Sequence, residues 1–192
     1  MALDIIQNQR DAELLARFSK GDRAAALALT SRLAPVVFAQ AFRMLGDRAE
    51  AEDVTQESLL RLWKAAPGWD ATWAKITTWL YRVTSNLCID CLRKSNRNSG
   101  DKVPEVADET PGIDIKLQAT ARAQALQHAL QTLPDRQRQA MILRHIEDLS
   151  NPEISDIMEI SVEAVESLVS RGNRALASTL APQKKALGLE DD

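Results

Sequence analysis

Some residues of this 192-residue chain have types and spacing that could do chemistry. Cys88 and Cys91 form a Cys-x-x-Cys, a pattern that can hold zinc or cycle as a disulfide. A structural zinc site wants four ligands, yet no second cysteine pair exists, and the only histidines, His128 and His145, lie far along the chain. The pair sits in NLCIDCLRK, which reads as helix, so two small buried or half-buried side chains is the better reading. No Ser/His/Asp set and no phosphate-binding glycine loop is present, so the residues point away from an enzyme; neither a metal site nor a cofactor is expected. The remaining candidates suit recognition. All four tryptophans, Trp63, Trp69, Trp73 and Trp79, fall within residues 46–79, followed by the sole tyrosine, Tyr81, in a chain with 4% aromatics. Flat rings stack on unpaired bases, at ~1–3 kcal/mol per base. Trp63 and Trp79 read as core, which leaves Trp69 and Trp73, in a loop opened by Pro67-Gly68, as stacking candidates. A hydrophobic pin between that loop and the next helix is the alternative. In the same stretch Asp53, Gln56, Glu57 and Leu60 recur at i, i+3, i+4 and i+7, on one helix face. Beside it runs an apolar stripe of Leu59, Leu62, Trp63 and Ala66. The polar face is either solvated surface or a docking site.

The elements that must position these residues are helices. Hydrophobic content is 45%, with seven glycines and seven prolines, and no alternating pattern appears, so the expected class is all-α. Helices are expected over 11–20, 23–33, 36–45 (after a restart or kink at Pro35), 49–66 and 75–94. The last ends on Arg93 and Lys94, with Arg97 beyond, and cations there suit the helix macrodipole. Residues 95–114, SNRNSGDKVPEVADETPGID, are polar and carry few large apolar side chains, which reads as a mobile linker. Two small helical domains follow, 1–95 and 117–192, joined by a flexible linker over 96–116 and expected to move independently.

The second domain opens with helices over 116–133 and 135–146. Asn151 is placed as a helix cap, with Pro152 first in the helix and Glu153 in its first turn. Glu159-Ile160-Ser161 makes a tight connection to a helix over 162–179, capped by Ser161. A short helix, a turn and a longer helix form a helix-turn-helix, whose outer face carries Glu163, Glu166, Ser167, Ser170, Arg171 and Arg174. Ordinary helix packing gives the same pattern. The formal net charge is −3, divided as +2 over 1–95, −2 over 96–116 and −3 over 117–192. A free-standing nucleic-acid binder is usually basic, so any DNA binding here draws on contacts made by something else. The N-terminus lacks a basic n-region and a continuous apolar run. No sequence stretch reads as the ~18 apolar residues of a membrane helix. The expected compartment is the cytoplasm, without membrane insertion.

In order and spacing, DAELLARFSKGD, RMLGDRAEAEDVTQESLLRLW, TTWLYRVTSNLCIDCLRK, LPDRQRQAMILRHIEDLSNPEISDIMEIS and VEAVESLVSRGNRAL resemble an extracytoplasmic-function sigma factor, the small two-domain class of bacterial RNA polymerase sigma subunits. The resemblance covers about 11–95 and 120–180. It implies a region 2 domain, 1–95, and a region 4 domain, 117–192. Asp53, Gln56, Glu57 and Leu60 would then dock on a coiled coil of the polymerase β′ subunit. Trp69, Trp73, Lys75, Arg82, Asn86, Arg93 and Lys94 would hold the −10 promoter element as a single strand and help melt it. Glu163, Glu166, Ser167, Ser170, Arg171 and Arg174 would read the −35 element in the major groove. Core RNA polymerase, through its β′ and β subunits, promoter DNA and an anti-sigma factor are the implied partners. The chain departs from the family's V-K-S-R-L-x-R-A-R recognition pattern at Glu166, Leu168 and Asn173, where basic residues are replaced, and Cys91 stands where a basic or larger residue is frequent. Competing classes are a response regulator, which needs a βα receiver domain that 1–95 does not resemble, a zinc or redox protein built on Cys88 and Cys91, and a small helical enzyme.

Overall fold

The computed structural model describes residues 2–70, 75–98 and 114–183, and every regular element among them is helical. Helices α1 (Ala2–Ser19), α2 (Arg23–Leu45), α3 (Arg48–Ala65) and α4 (Ile76–Asn98) form the first half. Helices α5 (Asp114–Gln131), α6 (Asp135–His145), α7 (Asn151–Met158) and α8 (Val162–Leu180) form the second.

Local chemistry sets the breaks. Asp22 caps α2, accepting from the Ala24 and Ala25 amides, while Arg17 binds the same carboxylate at 2.7 Å. The guanidinium and the amides hold Asp22 below the usual carboxylate range. Gly46 ends α2 at φ +75°, a left-handed conformation that suits glycine, and a Cβ there would press on the Gln131 side chain. Asp47 then caps α3 through the Glu50 amide at 2.8 Å.

Several expectations are corrected. The helices expected on either side of Pro35 are one 23-residue helix. Pro35 lies on its exposed side, where the lost backbone bond and the ring's bulk cost the core nothing. Helix α1 starts well before residue 11, and α4 runs through Asn98 while α5 begins at Asp114, so helix enters both ends of the segment read as linker; residues 99–113 lie outside the described residues. Helix α2 is also long and apolar enough, by length and composition, to cross a membrane, which no sequence stretch had suggested. Here it is a core helix, with Ala25, Leu29, Leu33, Val37, Ala41, Met44 and Leu45 buried, and Arg32 on its length pairs with the buried Asp11.

The two halves touch along part of their cores. One apolar cluster, Leu15, Leu29, Leu33, Val37, Leu62, Ile76 and Leu80, belongs to the first half. Another, Leu143, Ile154, Ile157, Met158 and Val165, belongs to the second, with Tyr81 of α4 packed on it. A third is shared: Ala41, Met44, Leu45, Ala51, Val54 and Cys88 close on Leu130, Leu133, Met141 and Ile142. Around this shared core the last turn of α2, whose carbonyls have no partners within the helix, takes donors from the second half. Gln127 donates to the Phe42 carbonyl at 3.0 Å, Gln131 to Arg43 at 2.9 Å and the buried Arg138 to Met44. Arg138 also donates to the Leu130, Gln131 and Leu133 carbonyls, which satisfies a guanidinium otherwise costly to bury.

Candidate nucleic-acid and partner interfaces

Helix α3 has the two-faced character that its sequence suggests. Val54, Thr55, Ser58, Leu59 and Leu62 are buried, and Ser58 meets Thr84 of α4 at 3.2 Å. On the adjacent face Asp53 and Gln56 are exposed, and Leu60 leaves 50% of its surface in solvent. Glu57 is half-buried and bound by Arg61 at 2.8 Å, and that hydrogen bond holds its carboxyl below the usual range. The face offers one exposed leucine among polar groups, with one carboxylate partly neutralised.

On α4, Lys75 precedes the helix and Arg82, Asn86 and Arg93 follow at offsets of 7, 11 and 18, so all four share one stripe. Lys94 is beside it. Thr84 on the opposite side and Ser85 on the flank are buried, and Gln40 of α2 fixes the helix by donating to Ser85 at 2.9 Å and to the Tyr81 carbonyl at 3.1 Å. The stripe is therefore aimed by the first half's own packing. It does not stand clear. Lys75 lies 3.9 Å from Glu153, and Arg82 pairs with Glu159. Asn86 and Arg93 line a cleft of about 370 Å³ together with Arg136, Met158 and Glu159. The Tyr81 hydroxyl donates to Glu147 at 2.7 Å, and Arg43 approaches the same carboxylate at 3.7 Å. Glu147, Glu153 and Glu159 were missed by sequence reasoning, because nothing local shows that acids in the second half meet cations in the first.

The tryptophans divide. Trp63 packs on Phe18 with ring centres 4.7 Å apart, and Trp79 packs edge-on to Trp69 at 5.6 Å and 87°. Trp63 and Trp79 are core-packed, as expected. Trp69 is half-buried against the same cluster, and its indole N–H finds no hydrogen-bond partner among the described residues. The hydrophobic pin is thus the geometry around Trp69. Trp73 lies outside the described residues.

The helix-turn-helix is formed by α7 and α8. Its cap is Ser150 and not Asn151: Ser150 and Glu153 make a reciprocal capping box, with Asn151 and Pro152 as the first helical residues. The shift by one residue follows from Glu153, which must stand three residues after the cap to reach back, as it does to the Ser150 amide at 2.9 Å. Glu159 takes a left-handed φ of 54° and Ser161 caps α8. Val165 is buried against α7, and Gly172 lets α8 settle on α6, where a Cβ would strike Met141. Glu163, Glu166, Ser167, Ser170, Arg171 and Arg174 are all exposed on the outer face. Asn151 reaches Glu166 at 3.5 Å. Leu168 is half-buried on the helix-turn-helix core, so its side chain turns inward and away from that face.

An exposed acidic face of α3, a polar and basic helix stripe and a helix-turn-helix thus stand in one all-helical chain. Family descriptions match in the same order: Sigma-70 region 2 over residues 29–98 and Sigma-70 region 4 over residues 123–176. The ECF RNA polymerase sigma factor SigW of Bacillus subtilis is 32% identical over 174 residues, covering 84% of this chain and 91% of the relative. The chain belongs to the extracytoplasmic-function sigma factors. As a member of the sigma-70 family it serves promoter-specific transcription initiation through core RNA polymerase. The RNA polymerase sigma-H factor of Pseudomonas aeruginosa is 27% identical, covering 93% of this sigma factor and 97% of the relative. SigE of Mycolicibacterium smegmatis is 33% identical over 76% of this sigma factor, which spans 57% of that longer relative. Among solved structures, CnrH in complex with the cytosolic domain of CnrY shares the fold at a TM-score of 0.66 and 24% identity, covering 90% of this sigma factor and 98% of that chain. RpoE of Bartonella quintana, solved with the anti-sigma factor NepR, does so at 0.63 and 22%, covering 79% and 94%.

The cysteines of this sigma factor take no part in these surfaces. Cys88 is buried in the shared core, and burial pushes its thiol up to about 12. Cys91, half-buried, is pushed up to about 11, first by burial and then by Glu50. Neither is an activated thiolate. Among the described residues no group of three or more His, Cys, Asp and Glu could hold a metal ion.

Proposed function

We propose that this sigma factor divides its contacts among three faces. Asp53, Gln56, Glu57 and Leu60 dock on the β′ subunit of core polymerase. Lys75, Arg82, Asn86, Arg93 and Lys94 hold the −10 strand. Glu163, Glu166, Ser167, Ser170, Arg171 and Arg174 face the −35 duplex, where the second half also approaches the β subunit. Residues 1–95 act as the region 2 unit and 117–192 as the region 4 unit, with 96–116 between them. The carrying observation is the α3 face: a core-buried helix that keeps Asp53, Gln56 and a half-exposed leucine in solvent has surface to offer a partner.

Trp73 is the base-stacking residue in this reading, and Trp69 serves the core as a packed ring. Melting follows from capture of unpaired bases, which shifts the duplex equilibrium towards the open strand. With a net charge of −3, the polymerase supplies the remaining attraction for DNA. The chain acts by binding, not by catalysis, in the cytoplasm beside the polymerase. CnrH and RpoE were solved with the cytosolic domain of CnrY and with the anti-sigma factor NepR, and an anti-sigma factor is the corresponding partner here. Run-off transcription from genomic fragments, with core polymerase and with or without this protein, tests the reading. Discrete new transcripts that need the protein are the expected result, and their absence with active core polymerase overturns it.

A further inference from the structure

The outer face of α8 carries an unusual set of groups for a helix that reads duplex DNA. A helix-turn-helix sets the N-terminal part of its second helix against base edges. Here that part, Val162 to Ser170, has no lysine and no arginine, and the cations Arg171 and Arg174 follow it. Its exposed polar groups are Glu163, Glu166, Ser167 and Ser170. The two carboxylates are not equivalent. Glu163 lies in the first turn, where its own amide and the Ser161 hydroxyl hold its carboxyl below the usual range. It is engaged at the helix start. Glu166 stands one turn further on, exposed, and meets the Asn151 side-chain amide at 3.5 Å, a contact too long to use up its acceptors. Asn151 opens α7 and is itself half-buried, so it approaches the carboxylate from a fixed element of the motif.

We infer that Glu166 determines specificity by reading cytosine in the −35 duplex, accepting a hydrogen bond from its amino group in the major groove, with Asn151 as a positioning residue. The inference rests on the assignment of the α8 outer face to the −35 duplex and names the base that this face selects. The chemistry of the four base edges decides. Guanine shows N7 and O6, both acceptors, and thymine shows O4 and a methyl group, so neither gives a carboxylate a donor. Adenine sets its amino donor beside the N7 acceptor, which suits an amide that both donates and accepts. Cytosine shows the amino donor alone, which suits an ionised carboxylate, a group that only accepts. Phosphates on both sides of the groove repel the same carboxylate. Without a base donor Glu166 is therefore a net cost, and that cost rejects pairs placed the wrong way round. Ser167 and Ser170 are short, which lets the helix come close enough for the Glu166 side chain to reach a base edge.

The test uses holoenzyme assembled from core polymerase and the full chain. The template is a duplex promoter found by the run-off assay, with its −35 hexamer randomised and its transcript barcoded. Transcript counts per template give the preference at each −35 position. At one position the parent should favour one orientation of a G·C pair over every other pair by at least about fivefold. Glu166→Arg should invert that orientation, because a guanidinium donates to guanine O6 and N7 where the carboxylate accepted from cytosine. Glu166→Gln should replace the cytosine by adenine, whose N6 and N7 match an amide. Asn151→Ala should shrink the parent's preference at least about twofold without changing the favoured pair. Glu13→Arg, the same change of charge at an exposed position of α1, should leave every position as in the parent. A changed base at a single position is a readout that weaker folding or stronger general attraction for DNA does not give. Preferences in Glu166→Arg and Glu166→Gln that match the parent throughout overturn the inference, as does an altered position where the parent favours an A·T pair. If no fragment gives a transcript, the sigma reading itself fails. Normal transcripts with unchanged preferences remove the Glu166 readout alone.

Discussion

At the scale of single residues, the assignments make separable demands. Gln56→Ala with Glu57→Lys should weaken core polymerase binding more than tenfold at unchanged helicity, because both side chains leave the buried stripe of α3 untouched; an affinity within twofold of the parent, by titration of labelled protein, would place docking elsewhere. Trp69 and Trp73 should part company. Trp69→Ala removes a packed ring and should cost about 3 kcal/mol in urea unfolding, whereas Trp73→Ala should keep the urea midpoint and lose permanganate reactivity in the −10 region. A Trp73 variant that melts DNA normally would end the stacking role. Cys88 sets a pH dependence. Its folded pKa, about 12, lies above the ordinary 9.0, so the neutral thiol is favoured by folding. That stability is complete below pH 9 and drains away as pH rises towards 12, where unfolding midpoints of the parent should fall more than those of Cys88→Ala. The sequence made the exposure of Asp53, Gln56 and Arg171 legible, because helical spacing alone decides which side chains share an outer face. It left Trp69 open between base and core, because a ring in a loop has no period to place it.

At the scale of elements, caps and breaks carry the argument. Helix existence was legible almost throughout, since Gly21-Asp22, Gly46-Asp47, Pro67-Gly68 and Ser161 announce ends chemically. Pro35 misled, because a proline's cost depends on whether its side of the helix faces core or water, and a sequence does not say which. Ser150 was passed over for Asn151, although Glu153 three residues later is the signal that selects Ser150. The capping box gives a direct check: Ser150→Ala should cost about 1 kcal/mol of thermal stability and loosen the helix-turn-helix, lowering affinity for duplex promoter DNA while leaving polymerase binding intact. Unchanged melting by differential scanning calorimetry would show that the box contributes nothing. Arg171→Ala, by contrast, removes one cation from the exposed face and should weaken binding to duplex promoter with a shallower salt slope, at unchanged stability; an unaltered slope in filter binding would take Arg171 off the phosphates.

Across the whole molecule, the shared core is what the sequence did not disclose. Leu130, Leu133, Met141 and Ile142 are apolar and buried, but an apolar side chain does not name the element it will meet. The polar composition of 95–114 reads as a linker between two bodies, while Cys88, Met44 and Val54 of the first half share a cluster with the second. A cut chain tests the joint. Limited proteolysis should act first between residues 99 and 113, and the two fragments should still elute together on gel filtration at low salt, held by the third cluster. Fragments that separate at once would show that the common core is too small to hold without the covalent connection.

The end of α2 has one more consequence. Its last carbonyls are met by Gln127, Gln131 and Arg138, none of which lies on the docking face, the α4 stripe or the outer face of α8. Water can take over every one of those bonds when the halves part. Substitutions at Gln127 or Gln131 therefore reset how tightly the molecule folds over without altering which promoter it reads or which subunit it grips. How firmly the halves hold together and what the outer faces touch sit on different residues, so in a lineage of duplicated copies either can drift while the other is kept.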